Sequence, residues 1–234
     1  MQMTLKALSA LLTYPGRELQ AAIPEIRAAL ASDGLLGPRD VRALGPLLDE
    51  LERDDLYALE ERYVALFDRS RTLSLNLFEH VHGESRDRGG AMVDLLETYR
   101  AGGYAPVGNE LPDHLPILLE FLSVRPLAES RAILADAAHI LEALRVRLDR
   151  RGSDYAAVFA ALTRIAGATP DADALAGLSN EAEEDPDDLA ALDATWEEAQ
   201  VTFGPDPNAG CPATRDMLAR MDMPVSAAPG RAAN

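Results

Sequence analysis

Over residues 1–168, apolar residues recur at spacings of three and four, which is the period of an amphipathic helix. The pattern is clear at residues 2–13 and again at 17–32, where Pro24 predicts a kink or a restart of the helix. Its longest run covers residues 127–150. No stretch shows the sustained alternation that is typical of a half-buried strand. The pattern therefore predicts an all-α protein, a bundle of roughly eight to ten helices.

The composition changes near residue 168, where the chain becomes acidic and then rich in Pro, Gly and Ala. Such a segment buries too little apolar surface to offset the entropy that is lost on ordering. We therefore predict one helical-bundle domain over residues 1–168. A largely disordered acidic tail is expected over residues 169–234, with a short helix near 187–199.

The chain contains no run of roughly 18 apolar residues that could span a bilayer, so no membrane insertion is expected. The N-terminal stretch MQMTLKALSALLTYPGREL lacks a basic leading region and a convincing cleavage site. It is interpreted as a first amphipathic helix and not as a signal peptide. The expected location is the cytoplasm.

The chain is strongly acidic, with a formal net charge of −17 at pH 7 and a pI near 4.5. It would repel the phosphates of a nucleic acid, so no nucleic-acid partner is expected. The charge fits a basic peptide partner, and it fits simple solubility equally well. The single cysteine, Cys211, cannot alone form an internal disulfide or a cysteine-based metal site. Nucleotide-binding glycine motifs do not occur either, and no cofactor is expected.

The segment NELPDHLPILLEFLS, residues 109–123, marks the start of a helix with two prolines that flank Asp113 and His114. Pro116 has no N–H and suits a first helical turn, where N–H groups lack helical partners. One interpretation makes Asp113 the N-cap of this helix, where it would stabilise the helix by about 1 kcal/mol. The other makes the pair a hinge whose exposed His114 and helix start bind a polar partner.

The segment FEHVHGES brings together Glu79, His80, His82 and Glu84, which are residue types that bind metals. The spacing is unfavourable, because residues two apart do not share a helical face and only His80 and Glu84 have the four-residue spacing that does. No metal site is therefore expected. A metal-dependent helical-bundle enzyme that uses His80, His82, Glu84 and His114 is kept as an alternative, and metal content would test it.

Residues 86–88, RDR, alternate in charge directly before an amphipathic helix. They can form a solvated capping segment. They can also form a charged rim beside an apolar floor of Leu77, Phe78 and Met92, which would suit a bound peptide helix.

Three segments of the helical region and one segment of the tail resemble a known family in order and spacing. They are ERYVALFD (61–68), LNLFEHVHGESRDRGGAMVDLLETYRAGG (75–103), ELPDHLPILLEFLS (110–123) and TWEEAQVTFG (195–204). The family is the NarJ-type delta chain of respiratory nitrate reductase. These are molybdenum cofactor assembly chaperones of the wider TorD/DmsD group of redox-enzyme maturation chaperones. The stretch LFEHVHGESRDRG is the longest and most specific match, and ELPDH is similar to the acid–Pro–Asp–His hinge motif of the wider group.

The resemblance implies a TorD-like, all-helical fold without enzyme activity. It implies a cytoplasmic chaperone whose partner is the catalytic (alpha) subunit of nitrate reductase, bound through its leader-like N-terminus. The apoenzyme would be held until the molybdenum cofactor is inserted, and then released for assembly at the membrane. Contacts with molybdenum cofactor delivery proteins are compatible with this role. A permanent helical scaffold subunit is the other alternative, and its persistence in the mature enzyme would distinguish it.

The resemblance and the residue pattern together predict a peptide-binding groove near the hinge. Its apolar floor would comprise Phe78, Met92, Leu95 and Leu118. Its acidic rim would comprise Glu79, Glu84 and Asp113. The imidazoles of His80, His82 and His114 would hydrogen-bond to the peptide or respond to pH, because imidazole changes charge near neutral pH. Arg86 and Glu110 complete the predicted set.

Overall fold

The computed structural model describes residues 1–82 and 87–179. Within these ranges the chain forms twelve α-helices and no β-strand. The helices are α1 (Met3–Leu11), α2 (Arg17–Ser32), α3 (Pro38–Ala43), α4 (Gly45–Arg53), α5 (Leu56–Tyr63), α6 (Leu77–His82), α7 (Asp87–Ala101), α8 (Leu115–Ser123), α9 (Leu127–Asp136), α10 (Ala138–Arg150), α11 (Ala156–Ala166) and α12 (Ala172–Ser179). A π-helical turn, Val64–Asp68, continues α5, and a 3₁₀ turn covers Arg71–Leu73. The predicted all-α class is confirmed.

Helix α2 runs through Pro24 without a break, so the predicted kink or restart is wrong. A proline inside a helix costs about 3 kcal/mol, because it removes a hydrogen bond and crowds the preceding turn. Here Pro24 lies on the exposed face, where water can reach the carbonyl that lost its donor. On the opposite face Ile23, Ile26 and Leu30 are buried, and their burial outweighs the cost.

The predicted long helix over residues 127–150 is in fact two helices, α9 and α10, which meet at Ala137. Ala137 has φ −90° and ψ 5°, outside the helical range, and neither proline nor glycine marks the break. Both helices pack against α11. Tertiary packing therefore sets this break, and it helps to explain why the described helices outnumber the eight to ten that were predicted.

The core consists mainly of leucine side chains and extends through most of the described helices. Helix α1 packs against α2 and α8, while α11 packs against α9 and α10. Leu5 and Leu8 of α1 and Leu119 of α8 are fully buried. Each such side chain stabilises the fold by roughly 1.5–3 kcal/mol. Because α8 is anchored in this core, the backbone just before it has a fixed position.

Helix α12 continues the helical part of the chain beyond residue 168, where the sequence predicted its end. It packs against α10, and Leu178 is buried. The buried guanidinium of Arg147 donates a hydrogen bond to the carbonyl of Thr72 at 2.6 Å and another to the carbonyl of Leu178. Residues 180–234, with the predicted helix near 187–199 and Cys211, lie outside the described residues, so the acidic tail stays a prediction.

None of the described helices has the length and apolar character that crossing a membrane requires.

Candidate functional site

Asp113 does not cap the helix that follows it. The N-cap position of α8 belongs to His114, whose side chain makes no capping hydrogen bond. The carboxylate of Asp113 instead accepts a hydrogen bond at Oδ2 from the backbone N–H of Phe78, at 3.0 Å. The carbonyl of Asp113 accepts another from the N–H of Leu77, at 3.1 Å. Asp113 therefore caps α6, and the capping interpretation of the sequence is corrected in its choice of helix.

A short antiparallel bridge joins the starts of α6 and α8. It pairs Asn76 with His114, and the N–H of Leu115 donates to the carbonyl of Leu75 at 2.9 Å. Together with the Asp113 cap, this bridge fastens the two helix starts to each other. We call this arrangement the hinge junction, formed by residues 75–78 and 113–115.

Arg88 provides the positive charge nearest to Asp113. Its guanidinium donates to Oε1 of Glu79 at 3.0 Å and lies 4.0 Å from Oδ2 of Asp113. Sequence analysis selected Arg86 of the same segment, which lies outside the described residues. The alternating charges had pointed to the segment, but only the fold reveals which arginine faces the junction.

The side chain of Asp113 is fully buried. Burial raises the pKa of its carboxyl group, while the Phe78 N–H and the Arg88 charge act in the opposite direction. Its second oxygen, Oδ1, has no hydrogen-bond partner within the described part of the chain. A buried acceptor without a partner is costly, and it can be satisfied by a donor from a bound molecule.

An apolar cavity of about 200 Å³ lies beside Asp113. Its lining includes Phe78, Val81, Leu95, Asp113, Leu118 and Ile140. The structure thus brings together Phe78, Leu95 and Leu118, three of the four predicted floor residues. Met92 is half-buried on α7, and it is not among the described residues that line this cavity.

His114 lines a different, more polar cavity of about 430 Å³, which we call the His114 cavity. Its lining includes Tyr14, Tyr63, Asp68, Glu110, His114 and Glu120. Tyr14, Asp68 and Glu120 were not selected from the sequence, because they are distant along the chain and carry no local motif. Asp113 and His114, although adjacent, thus contribute to two cavities on the two sides of the hinge junction.

His114 is half-buried, and its Nδ1 has no hydrogen-bond partner among the described residues. Burial lowers the pKa of its imidazole, while the carboxylates of Glu110, Asp113 and Asp68 raise it. The neutral ring is therefore favoured near pH 7, with Nδ1 able to donate or to accept according to its tautomer.

The remaining predicted residues have separate environments. Nε2 of His80 lies 2.8 Å from the carbonyl of Ser74, which holds this ring against the hinge junction. Glu79 pairs with Arg88, as described above, and Glu110 is exposed at the rim of the His114 cavity. Glu84, Arg86 and the side chain of His82 lie outside the described residues. Among those that are described, no three His, Cys, Asp or Glu residues come together as metal ligands.

This geometry defines an all-helical protein whose candidate site is a pair of cavities at one helix–helix junction. The chain belongs to the nitrate reductase delta subunit family, whose model matches residues 17–161. It is 45% identical over 203 residues to the nitrate reductase molybdenum cofactor assembly chaperone NarJ of Escherichia coli K12, covering 86% of this chain and 85% of that one.

Two further relatives are similar over much of their length. A protein of the same strain, named a probable nitrate reductase molybdenum cofactor assembly chaperone NarW, is 40% identical over 88% of this chain and 86% of its own. The corresponding NarJ protein of Bacillus subtilis is 34% identical over 66% of this chain and 83% of its own. The family that the sequence motifs suggested is therefore confirmed.

Proposed function

We propose that this chain is a system-specific assembly chaperone for a molybdenum-containing nitrate reductase and has no catalytic activity of its own. The observation that carries the proposal is the 45% identity to a protein with that role in its name, over 86% of this chain and 85% of the relative. Because the match spans most of both proteins, it supports a shared role and not only a shared structural element.

The partner would be the catalytic subunit of the nitrate reductase, bound through its N-terminal segment. We assign the apolar cavity to this segment, because a helical peptide binds by placing its apolar face in a groove of this kind. Phe78 and Leu95 are half-buried in the free protein and would be covered on binding. A donor on the segment could reach Oδ1 of Asp113, which would satisfy that buried acceptor.

The order of events follows from where the chaperone would bind. A catalytic subunit held by its N-terminal segment in the cytoplasm would be kept from the membrane until the molybdenum cofactor is inserted. The net charge of −17 would speed the encounter with a basic segment, while apolar contacts would supply most of the affinity. Direct contact with cofactor delivery proteins stays a prediction.

Two other functions stay open to test. A metal-dependent enzyme would need a metal site, and the described residues bring no suitable group together. Because Glu84 and the side chain of His82 are outside that part of the chain, metal analysis of the purified protein is the test. A permanent scaffold subunit would co-purify with the mature membrane enzyme in equal amounts, whereas a chaperone would be released.

Calorimetric titration with a peptide from the N-terminus of the catalytic subunit tests the proposal, with a scrambled peptide as the control. We expect saturable one-to-one binding of the true peptide only. Leu95→Ser should weaken this binding about tenfold or more, because losing a buried leucine contact costs roughly 1.5–3 kcal/mol and each 1.4 kcal/mol is tenfold in affinity.

Val93→Ser is the matched control, because Val93 lies on the same helix but is exposed and does not line the cavity. It should bind the peptide as the wild type does. Equal binding by the Leu95 and Val93 variants would remove the apolar cavity from the proposal. No binding of either peptide by the wild type would count against recognition of the N-terminal segment.

A further inference from the structure

The His114 cavity combines acidic side chains at its rim with aromatic side chains in its wall. Asp68, Glu110 and Glu120 contribute three carboxylates, and no Lys or Arg is among the described lining residues. The volume of about 430 Å³ falls in the range of roughly 300–1,000 Å³ that small-ligand sites occupy. The cavity is therefore large enough for a chemical group that is attracted to negative charge.

The electrostatic environment of Asp68 shows that negative charge is concentrated here. Partial burial raises the pKa of its carboxyl group, and repulsion from Glu110 raises it further, while His114 lowers it. Since a carboxylate close to another one is disfavoured, a cation placed between them would be stabilised. A bound cation would offset the repulsion that the free protein carries.

The carboxylates are arranged for something larger than a metal ion. Three acids and His114 share one cavity, yet among the described residues no three such groups are close enough to ligate a single ion. Separated acceptors suit a cation whose charge and donors are spread over several atoms. A guanidinium group has five N–H donors in a fixed planar fork and meets this requirement.

The aromatic wall favours the same group. The rings of Tyr14 and Tyr63 lie 5.5 Å apart edge to face, and those of Tyr63 and Phe67 lie 5.0 Å apart. All three rings line the cavity, and the hydroxyl of Tyr63 is engaged with the carbonyl of Leu12 at 2.9 Å. A guanidinium group stacks on such rings and is attracted to their faces.

Two buried polar atoms of the lining are without partners in the described part of the chain. They are Nδ1 of His114 and Oδ1 of Asn76, which belong to the bridge of the hinge junction. Buried polar atoms of native proteins are nearly always hydrogen-bonded. An amide oxygen accepts hydrogen bonds, as does the unprotonated nitrogen of a neutral imidazole, and a guanidinium supplies donors for both.

We propose that the His114 cavity is a receptor for the guanidinium group of an arginine side chain carried by the bound client segment. The acids at the rim attract the cation, the aromatic wall stacks on it, and the two unpaired atoms accept from it. The assignment of the source rests on the proposed function, whereas the guanidinium chemistry rests on the cavity alone. Because Asp113 and His114 are adjacent residues, with Cα atoms about 3.8 Å apart, a client in the apolar cavity lies one residue away from this receptor.

The first test uses a probe that needs no client. The full-length protein is titrated with Nα-acetyl-arginine amide, and the imidazole resonances are followed by NMR, with that of His114 assigned from a His114→Gln variant. We expect a saturable shift of the His114 resonance. The neutral isostere Nα-acetyl-citrulline amide should cause none, because it has the same shape without the charge.

The double variant Asp68→Asn/Glu110→Gln should weaken probe binding about three- to tenfold, since each exposed ion pair contributes roughly 0.2–1 kcal/mol. Glu61→Gln/Glu97→Gln is the matched control, because it removes the same charge from exposed positions outside the cavity. An equal response to citrulline, or equal weakening in both double variants, would overturn the receptor.

The second test identifies the source of the cation. An N-terminal client peptide with every Lys and Arg replaced by Gln should bind more weakly to the wild type and should leave the His114 resonance in place. If the neutral peptide binds as tightly as the native one, the client assignment is wrong while the proposed chaperone function stands. If spermidine saturates the cavity and the native peptide leaves His114 unmoved, a free polyamine is the ligand and the client assignment is overturned.

Discussion

The carboxylate of Asp113 accepts a hydrogen bond at 3.0 Å from the backbone N–H of Phe78, which lies 35 residues earlier in the chain. This one contact links the start of α8 to the start of α6, and it places a buried acid at the edge of the apolar cavity. The hinge junction is therefore a tertiary contact between two helix starts, and its stability is inseparable from that of the cavity beside it.

Replacing Asp113 tests this relationship directly. Asp113→Ala should lower the free energy of unfolding by about 1–3 kcal/mol, because the N–H of Phe78 would be buried without an acceptor. Asp113→Asn should cost less, since the amide oxygen can still accept that hydrogen bond. Urea unfolding followed by circular dichroism measures both.

Asp94→Ala is the control for this pair, because Asp94 is exposed on α7. It should change stability by no more than about 0.5 kcal/mol. If Asp113→Ala is as stable as the wild type, the cap on α6 does not contribute to the fold. If the asparagine variant is as unstable as the alanine variant, the charge matters more than the hydrogen bond.

Sequence analysis predicted the helical class and picked out Asp113 and His114, because proline placement and apolar periodicity are local signals. It also selected three residues that line one cavity. It assigned Asp113 to the wrong helix, since a cap supplied from another part of the chain leaves no local pattern. Asp68 and Tyr14 were missed for the same reason: only packing of α1 and of the turn after α5 brings them beside His114.

The half-buried His114 should make stability depend on pH. Burial lowers the pKa of its imidazole below the ordinary value of 6.5. A depressed pKa in the folded state gives stability that is complete above pH 6.5 and is lost as the pH falls through that value. The wild type should therefore lose more stability between pH 7.5 and 5.5 than His114→Gln does.

Chemical unfolding of the two proteins at several pH values measures this difference, and using each protein at pH 7.5 as its own reference removes the cost of the substitution itself. Parallel curves for the two proteins over that interval would contradict the prediction. A steeper loss in the glutamine variant would mean that the carboxylates around His114 outweigh its burial.

Gly102 is required for the packing of Phe121. A Cβ atom at Gly102 would lie 2.6 Å from Cε2 and 3.1 Å from Cζ of the Phe121 ring. This ring is almost fully buried and packs against Tyr99, with ring centroids 4.8 Å apart, so it cannot easily move away. Gly102→Ala should therefore cost about 1–3 kcal/mol through overpacking.

Gly90→Ala is the matched control, because Gly90 lies within α7 and a Cβ there would have no atom within 4 Å. It should stabilise the protein by about 0.5–1 kcal/mol, since alanine favours the helix over glycine. Thermal unfolding separates the two substitutions by their opposite signs. A gain in stability for Gly102→Ala would show that the Phe121 ring adjusts at little cost.

Arg147 fastens the last described helix to the rest of the protein. Its buried guanidinium donates to the carbonyls of Thr72 and Leu178, so one side chain of α10 holds both the 3₁₀ turn and α12. Arg147→Met keeps much of the side-chain volume but removes the donors, which should destabilise the fold by about 2–4 kcal/mol. The loss should be greatest in α12, whose packing partner is α10. Hydrogen exchange should therefore speed up first in residues 172–179, whereas Arg131→Met, at an exposed position on α9, should leave their exchange unchanged. Equal exchange in the Arg147 variant and the wild type would mean that apolar contacts, led by Leu178, hold α12 without this arginine.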